Sequence, residues 1–311
     1  YEDDGGTPRK PKPMIVSLIK EGFGVLLLKG RLVGIMHNKF FVVDEGLAQF
    51  GSYNYTQQSE DDHYENVFFS IDKARVNGYL KYFEYMRGLA EEPDMGKLDE
   101  AINRIDAVLP AADNIEFSMA EQLKPPPPDP PQETDTPISL NGAMFPIHMF
   151  SPNVGIEKTL IRAIEASLIS IDIAMFSFFS RPIAEALLRA KDRGVKVRVG
   201  LDRSQAGTSK LDEWFAWHGF DLRVLRGPDD ARDPRYQKMH HKFAIFDGLM
   251  LGSGSFNYST RAETLNFENV NFFNDADEIA RFAAAFLQMF ERGKAPKPPK
   301  REQKWAMPAA V

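Results

Sequence analysis

Six residues at fixed intervals appear twice in this chain, and together they could hold a phosphate group. His37, Lys39, Asp44, Gly51, Ser52 and Asn54 set the spacing; His240, Lys242, Asp247, Gly254, Ser255 and Asn257 repeat it. Along a strand, residues i and i+2 share a face, so each histidine projects with its lysine while the apolar neighbours pack into a core. The Gly-Ser-x-Asn stretch, arriving as an antiparallel strand, can set its serine and asparagine beside them. Each copy then offers an imidazole, an ammonium and neutral donors at one point. Lysine would supply charge to a phosphate there, and serine and asparagine hydrogen bonds. A single His-x-Lys pair would read as a core histidine beside a surface lysine. Two copies in register reverse that, because duplication alone gives no reason to keep polar residues while apolar ones drift.

The repeat extends well past these positions. With His37 aligned on His240, an offset of 203 residues, the register holds without a gap from Met36 to Phe69. Glu60, Glu65, Asn66 and Val67 fall on Glu263, Glu268, Asn269 and Val270. Tyr79, Phe83 and Met86 fall on Phe282, Phe286 and Met289, as equivalent amphipathic helices would. Upstream, "GFGVLLLKG" at 22–30 matches "GFDLRVLRG" at 219–227.

The second copy reads as α/β. "LISIDIAMF" is a buried strand, "RPIAEALLRAKDRG" a helix opened by proline and closed by Gly194, and "VKVRVGLD" a second strand. "KLDEWFAWHG" is a helix and "FDLRVL" a third strand; "HKFAIFD" and "MLGSGS" then form a strand pair around Asp247-Gly248. Alternating strands and helices imply a mixed or mostly parallel sheet covered on both faces. The first copy reads as incomplete: Tyr1 corresponds to the end of the "VKVRVGLD" strand, so on the order of 60 residues of the repeat are expected upstream. The division expected is a first repeat over 1–90 with its N-terminal part missing, a linker over 91–141, a second repeat over 142–293 and a disordered tail over 294–311. The linker carries an amphipathic helix over 97–109 and a proline-rich, semi-rigid spacer around 125–131.

Composition narrows the classes. The chain has 311 residues, 43% of them hydrophobic and 26% charged, as a globular core requires. A net charge of −6 argues against wholesale coating of nucleic acid or anionic membrane, though not against a local basic cleft. With no cysteine, disulfides, thiolate metal sites and cysteine nucleophiles are excluded. No run approaches the roughly 20 apolar residues of a membrane span. Secreted, periplasmic and cytoplasmic locations all fit these features.

The paired His-x-Lys-x4-Asp-x6-Gly-Ser-x-Asn pattern resembles that of the phospholipase D superfamily. In texture, "MHHKFAIFDG…GSFNYSTRAETLNFENV" is most similar to the bacterial endonuclease and mitochondrial cardiolipin-hydrolase (piRNA-nuclease) branch. The resemblance implies an α/β fold of two tandem phospholipase D-like repeats, each a mixed sheet flanked by helices, packed around a pseudo-two-fold axis. It implies one site shared by both motifs, so that no dimer is required, and a hydrolysis needing no metal and no cofactor. One imidazole would attack phosphorus to give a phosphohistidine; the other would protonate the leaving oxygen and then activate water. By the resemblance His37 is the nucleophile and His240 the acid/base, although the near-symmetric sequence does not decide between them. Lys39, Lys242, Asn54 and Asn257 would hold the phosphoryl oxygens with Ser52 and Ser255 assisting, and Glu65 and Glu268 would orient the imidazoles.

Asp44, Asp247, Gly51 and Gly254 are expected to be structural. Glu60 and Glu263 read as exposed helix or turn residues. His63, His148 and His218 lack repeat partners and read as surface or packing residues, while His241 should face away from the site. The substrate is a phosphodiester, either nucleic acid, narrowly preferred, or a phospholipid reached by peripheral membrane contact. A nucleic acid needs a basic track, for which Arg9, Lys10, Lys12, Lys20, Arg226, Arg232, Arg235 and Lys238 are candidates, partly cancelled by Asp229, Asp230 and Asp233. A lipid needs an apolar mouth, for which Phe176, Phe178 and Phe179 are candidates. A non-catalytic scaffold is the least expected reading, because both motifs are intact.

Overall fold

A computed structural model describes residues 13–93, 128–132, 137–297 and 299. Arg9, Lys10, Lys12, the helix expected over 97–109, residues 125–127 of the proline run and most of the tail lie outside the described residues.

The second repeat is built on a seven-stranded mixed sheet. In chain order its strands are β7 (His148–Phe150), β8 (Ser170–Met175), β9 (Lys196–Asp202), β10 (Asp221–Leu225), β12 (Lys242–Phe246), β13 (Met250–Gly254) and β14 (Asn269–Phe273). Across the sheet they run β10-β9-β8-β12-β13-β14-β7. The β10-β9-β8 edge is parallel and all pairings from β8–β12 onward are antiparallel. A short hairpin, β5 (Ile138–Leu140) and β6 (Ala143–Phe145), adds Leu140 and Phe145 to the core of this repeat.

The strand residues alternate between two cores. Ala244 and Phe246 of β12 pack outward under the helices α4 (Ile156–Ala166) and α5 (Arg181–Asp192), while Phe243 and Ile245 pack inward. Helix α5 starts as its sequence requires: Ser180 accepts the Ile183 N–H, and proline occupies the first turn. Two short helices, α6 (Arg203–Ser209) and α7 (Leu211–Trp217), join β9 to β10.

The first repeat contains a smaller sheet. Its strands β1 (Phe40–Val43), β2 (Leu47–Gly51) and β4 (Val67–Ser70) pair antiparallel in that order, with α2 (Gln57–Asp61) and β3 (His63–Tyr64) between β2 and β4. Residues 22–30, aligned with β10, form no strand and make only an isolated bridge from Leu27 to Glu91. The reason is pairing: apart from an isolated bridge from Val224 to Lys294, β10 pairs with β9, and no counterpart of β9 exists among the described residues of the first repeat.

The two sheets enclose a shared core. Helix α3 (Lys73–Leu89) and helix α9 (Ala276–Arg292) contribute Val76, Tyr79, Tyr82, Ile279, Phe286 and Met289 to one apolar cluster, together with Ala48 and Phe50 of the first sheet and Phe243 and Leu251 of the second. Tyr79 stacks on Phe50 at 4.8 Å, and its hydroxyl accepts from Asn271 of β14 at 2.8 Å. Arg75 of α3 donates to the Ile147 and Phe272 carbonyls and to Asn271. Its guanidinium hydrogen bonds thus all reach across the seam.

Candidate active site

At the seam each repeat lends backbone to the other. Met36 bridges Phe267 in parallel, and β11 (Lys238–Met239) pairs in parallel with β3 through Met239 and Tyr64. These are the same contact under the 203-residue offset. The His37 N–H donates to the Phe267 carbonyl at 3.0 Å and the His240 N–H to the Tyr64 carbonyl at 3.0 Å. The residue before each histidine and the residue before each glutamate are thereby tied together across the seam.

The consequence is a crossed arrangement. His37 Nδ1 lies 2.7 Å from Glu268 Oε2, and His240 Nδ1 lies 2.8 Å from Glu65 Oε1. Every imidazole is held by the carboxylate of the other repeat. Lys39 and Lys242 donate to the carbonyls of their own histidines at 2.5 and 2.8 Å. Lys39 is also near enough to His240 to disfavour its protonation. All four histidine and lysine side chains are buried.

The charges follow from these contacts. Burial alone would raise the Glu65 carboxyl, but the charge and hydrogen bond of His240, with Lys242 beyond, hold it well below the usual carboxylate range. Burial and then Lys242 push His240 down to about 3, against the pull of Glu65. The state at neutral pH is therefore a carboxylate accepting Nδ1–H from a neutral imidazole, which leaves the Nε2 lone pair for chemistry.

The two serines are not where the motif suggested. Ser52 Oγ donates to Glu65 Oε2 at 2.6 Å and accepts the Asn66 N–H at 3.0 Å; Ser255 does the same with Glu268 at 2.7 Å and Asn269 at 3.0 Å. Both are fully buried and occupied. Where substrate contacts were expected of them, their hydroxyls hold the glutamates. The glycines before them permit this approach: a Cβ on Gly51 would lie 2.2 Å from the Asn66 carbonyl oxygen, and one on Gly254 2.2 Å from that of Asn269. Asn54 and Asn257 follow the serines, half-buried, and Asn257 Oδ1 is buried without a hydrogen-bond partner.

Asp247 lies at the turn after β12, where its carboxylate accepts the N–H groups of Leu168, Ile169 and Ser170 and the Asn141 amide. Asp44 occupies the matching turn with φ of 49°. Glu263 departs from its expected exposed role: it accepts the Gly155 and Glu157 N–H groups at 2.8 and 2.9 Å, capping α4. Glu60 is exposed and accepts the Tyr53 hydroxyl. His148 is buried against Phe150 and Tyr79, His218 packs on Trp214, and His241 turns away to Asn66 and Tyr64.

His63 was read as a surface or packing residue, yet its ring lies beside Glu65 and His240, with centroids 5.8 Å apart in the histidine pair. The repeat held the signal: position 63 aligns with Asn266, whose amide donates to Glu268 at 3.0 Å. Phe176 also joins the site, its ring 4.6 Å from that of His240 and 5.0 Å from Lys242 Nζ. Phe178 packs instead on Phe215 and Tyr258 in the core. Of the basic candidates, Arg232 pairs with Asp61 and Arg235 with Asp233. Among the described residues no helix is long and apolar enough to cross a membrane.

The family described as "Cardiolipin synthase, PLD-like domain" matches residues 1–87 and 160–290. Human mitochondrial cardiolipin hydrolase is 37% identical over 137 residues, covering 43% of this chain and 48% of that protein. A phospholipase D of Rickettsia conorii is 32% identical over 148 residues, covering 47% of this chain and 68% of its own. The chain spans about half the length of the algal and human cardiolipin hydrolases it matches. Among solved structures, phosphatidylserine synthase of Haemophilus influenzae shares the fold, with a TM-score of 0.55 at 13% identity, over 85% of this chain and 63% of that one.

Proposed function

The chain belongs to the phospholipase D superfamily, and from that premise we propose that it hydrolyses phosphodiesters through a covalent phosphohistidine. The observation that carries this reading is the crossed pair of imidazole–carboxylate contacts, His37 with Glu268 and His240 with Glu65. Each carboxylate holds the Nδ1 proton, so each Nε2 presents a lone pair at a site supplied with two lysines. His37 Nε2 attacks phosphorus, the P–O bond to the leaving group breaks, and His240, having taken up a proton at Nε2 from solvent as the phosphate binds, delivers it to the departing oxygen. Water, deprotonated by His240, then cleaves the N–P bond. Burial is the largest cause that depresses His240, followed by Lys242 and, more weakly, Lys39; a substrate phosphate offsets the two lysines and so raises the pKa of His240. Lys39, Lys242 and the amides of Asn54 and Asn257 hold the phosphoryl oxygens.

For substrate class, a phospholipid is the reading that two observations favour. The curated relatives are named for cardiolipin and phospholipid hydrolysis. Arg232 and Arg235, candidates for a nucleic-acid track, lie beside Asp61 and Asp233, which lower the net positive charge of that surface. Nucleic acid, preferred on sequence texture, is the second reading and rests on Arg226 and Lys238. Cleavage of cardiolipin vesicles, phosphatidylcholine vesicles, single-stranded DNA and RNA, with and without EDTA, is the test. Cleavage of cardiolipin but not of the nucleic acids is expected, and it should survive EDTA. Nucleic-acid cleavage alone overturns the substrate class, and no cleavage of any substrate overturns the reaction. His37→Ala and His240→Ala are each expected to lower turnover by roughly 10⁴-fold or more. Acid-labile phosphate trapped on residue 240 in the His37 variant would exchange the two roles.

A further inference from the structure

The two halves of the site differ at one polar position that touches a catalytic contact. In the second repeat Asn266 is satisfied on both sides, donating to Glu268 Oε1 at 3.0 Å and accepting the Ile35 N–H at 3.1 Å. In the first repeat the same position is His63. Its side chain is only 9% exposed, and its Nδ1 is buried with no hydrogen-bond partner. That nitrogen lies 3.5 Å from Glu65 Oε1, the oxygen that also receives His240 Nδ1 at 2.8 Å. One ligand atom from each of the three residues lies within 4.8 Å of the others. Two imidazole nitrogens and a carboxylate oxygen thus converge where a neutral asparagine would have closed the network.

We propose that His63, Glu65 and His240 form an inhibitory binding site for a divalent cation of the zinc class. The donor set suits it: zinc takes histidine nitrogen and carboxylate oxygen at about 2.0–2.2 Å, and a tetrahedral arrangement separates the donors by roughly 3.3 Å. The observed separations of 3.5 and 2.8 Å bracket that value. Calcium and magnesium, which take oxygen donors, do not match two imidazoles. Binding requires the Nδ1 lone pair of His240, so the proton now shared with Glu65 moves to Nε2, with no net proton lost from the ring. The nitrogen left for chemistry then has no lone pair, and His240 serves neither as base nor as nucleophile. The second repeat has no such site, because Asn266 offers no imidazole.

The inhibition rests on the phosphodiesterase reading; the binding does not. Calorimetric titration of the full chain with ZnCl2, in the absence of substrate, is expected to show one site that weakens at least 10-fold in His63→Asn, which installs the residue of the second repeat. Co²⁺ should give visible d–d bands of a low-coordinate site in the wild type and lose them in the variant; this keeps the test open if the variant folds poorly. Zinc should inhibit wild-type cleavage reversibly with EDTA and leave the turnover of His63→Asn, measured against its own zinc-free rate, undiminished. Equal zinc affinity in the two proteins, or none in the wild type, overturns the site. Tight zinc binding that leaves cleavage undiminished overturns the inhibition. Zinc bound at His63 in a protein that cleaves no phosphodiester supports the site and defeats the phosphodiesterase reading alone.

Discussion

Phe69 on β4 of the first sheet is 65% exposed, whereas Phe272, its counterpart on β14, is fully buried beneath the second sheet's helices. Val43 and Val67 repeat the contrast against Phe246 and Val270. Helices α4 and α5 cover the outer face of the second sheet, and no counterparts exist among the described residues of the first. On the inner faces the difference vanishes: Ser52 and Ser255, Glu65 and Glu268, and Gly51 and Gly254 make matching contacts within a few tenths of an ångström. Apart from His63 opposite Asn266, the surfaces that make one site match, and the outward surfaces do not. The seam contacts serve both repeats at once, whereas packing against covering elements is private to each.

The largest effects should come from breaking the seam. Glu268→Gln leaves His37 without a carboxylate partner, and a loss in kcat of roughly 10³–10⁴-fold is expected, by analogy with carboxylate-oriented histidines generally. Glu65→Gln should do the same through His240. A Glu65 variant with full kcat beside a dead Glu268 variant would show that the two halves are not equivalent partners in the chemistry.

The outer faces supply the next test. Phe272→Ala is expected to cost about 3–5 kcal/mol in urea denaturation and Phe69→Ala less than about 0.5 kcal/mol. Equal costs would mean that the exposed face of the first sheet is covered in solution. Smaller again, Ser52→Ala and Ser255→Ala each leave a buried backbone N–H unpaired, at Asn66 and Asn269. Each should lose about 1–3 kcal/mol of stability. If either serine binds substrate instead, KM rises with stability unchanged.

A further effect is graded with pH. Burial pushes His148 and His240 down to about 3 and His241 to about 4, whereas in the unfolded chain each titrates near 6.5. Between those values the unfolded chain binds protons that the folded one does not. Stability therefore rises with pH across that window and is lost as pH falls below about 6.5, by up to about 1.4 kcal/mol per pH unit for each histidine. Glu65 adds a loss only below its ordinary value near 4.5. His148→Leu, removing a ring whose two nitrogens are both unpaired, should lower the slope between pH 5 and 6 by about a third. An unchanged slope would assign the acid sensitivity to the seam histidines alone.

Much of this organisation was legible in the sequence. The spacing of His37, Lys39 and Asn54, repeated at His240, Lys242 and Asn257, marked both half-sites, and strand periodicity marked β8, β9, β12 and β13. What was not legible is contact between distant residues. Alignment shows that Glu65 matches Glu268, but it cannot show that each serves the histidine of the other repeat. The serines looked like ligands for substrate because spacing reports which side chains share a face, not which partner wins them. His63 was overlooked because the comparison followed identities between repeats, and its meaning lies in a difference. Residues 22–30 resemble β10 in composition, yet a strand needs a neighbour to pair with, and sequence similarity does not supply one.

The crossed contacts also bear on how such a protein can change. His37 and Glu268 are 231 residues apart in the chain, and His240 and Glu65 are 175 apart. A substitution at either glutamate is therefore felt first by the opposite repeat, so neither copy can drift toward a separate occupation without disabling its twin. The two halves arose as duplicates and are inherited as one heritable unit, bound less by the peptide linking them than by the fact that each keeps the other's histidine working.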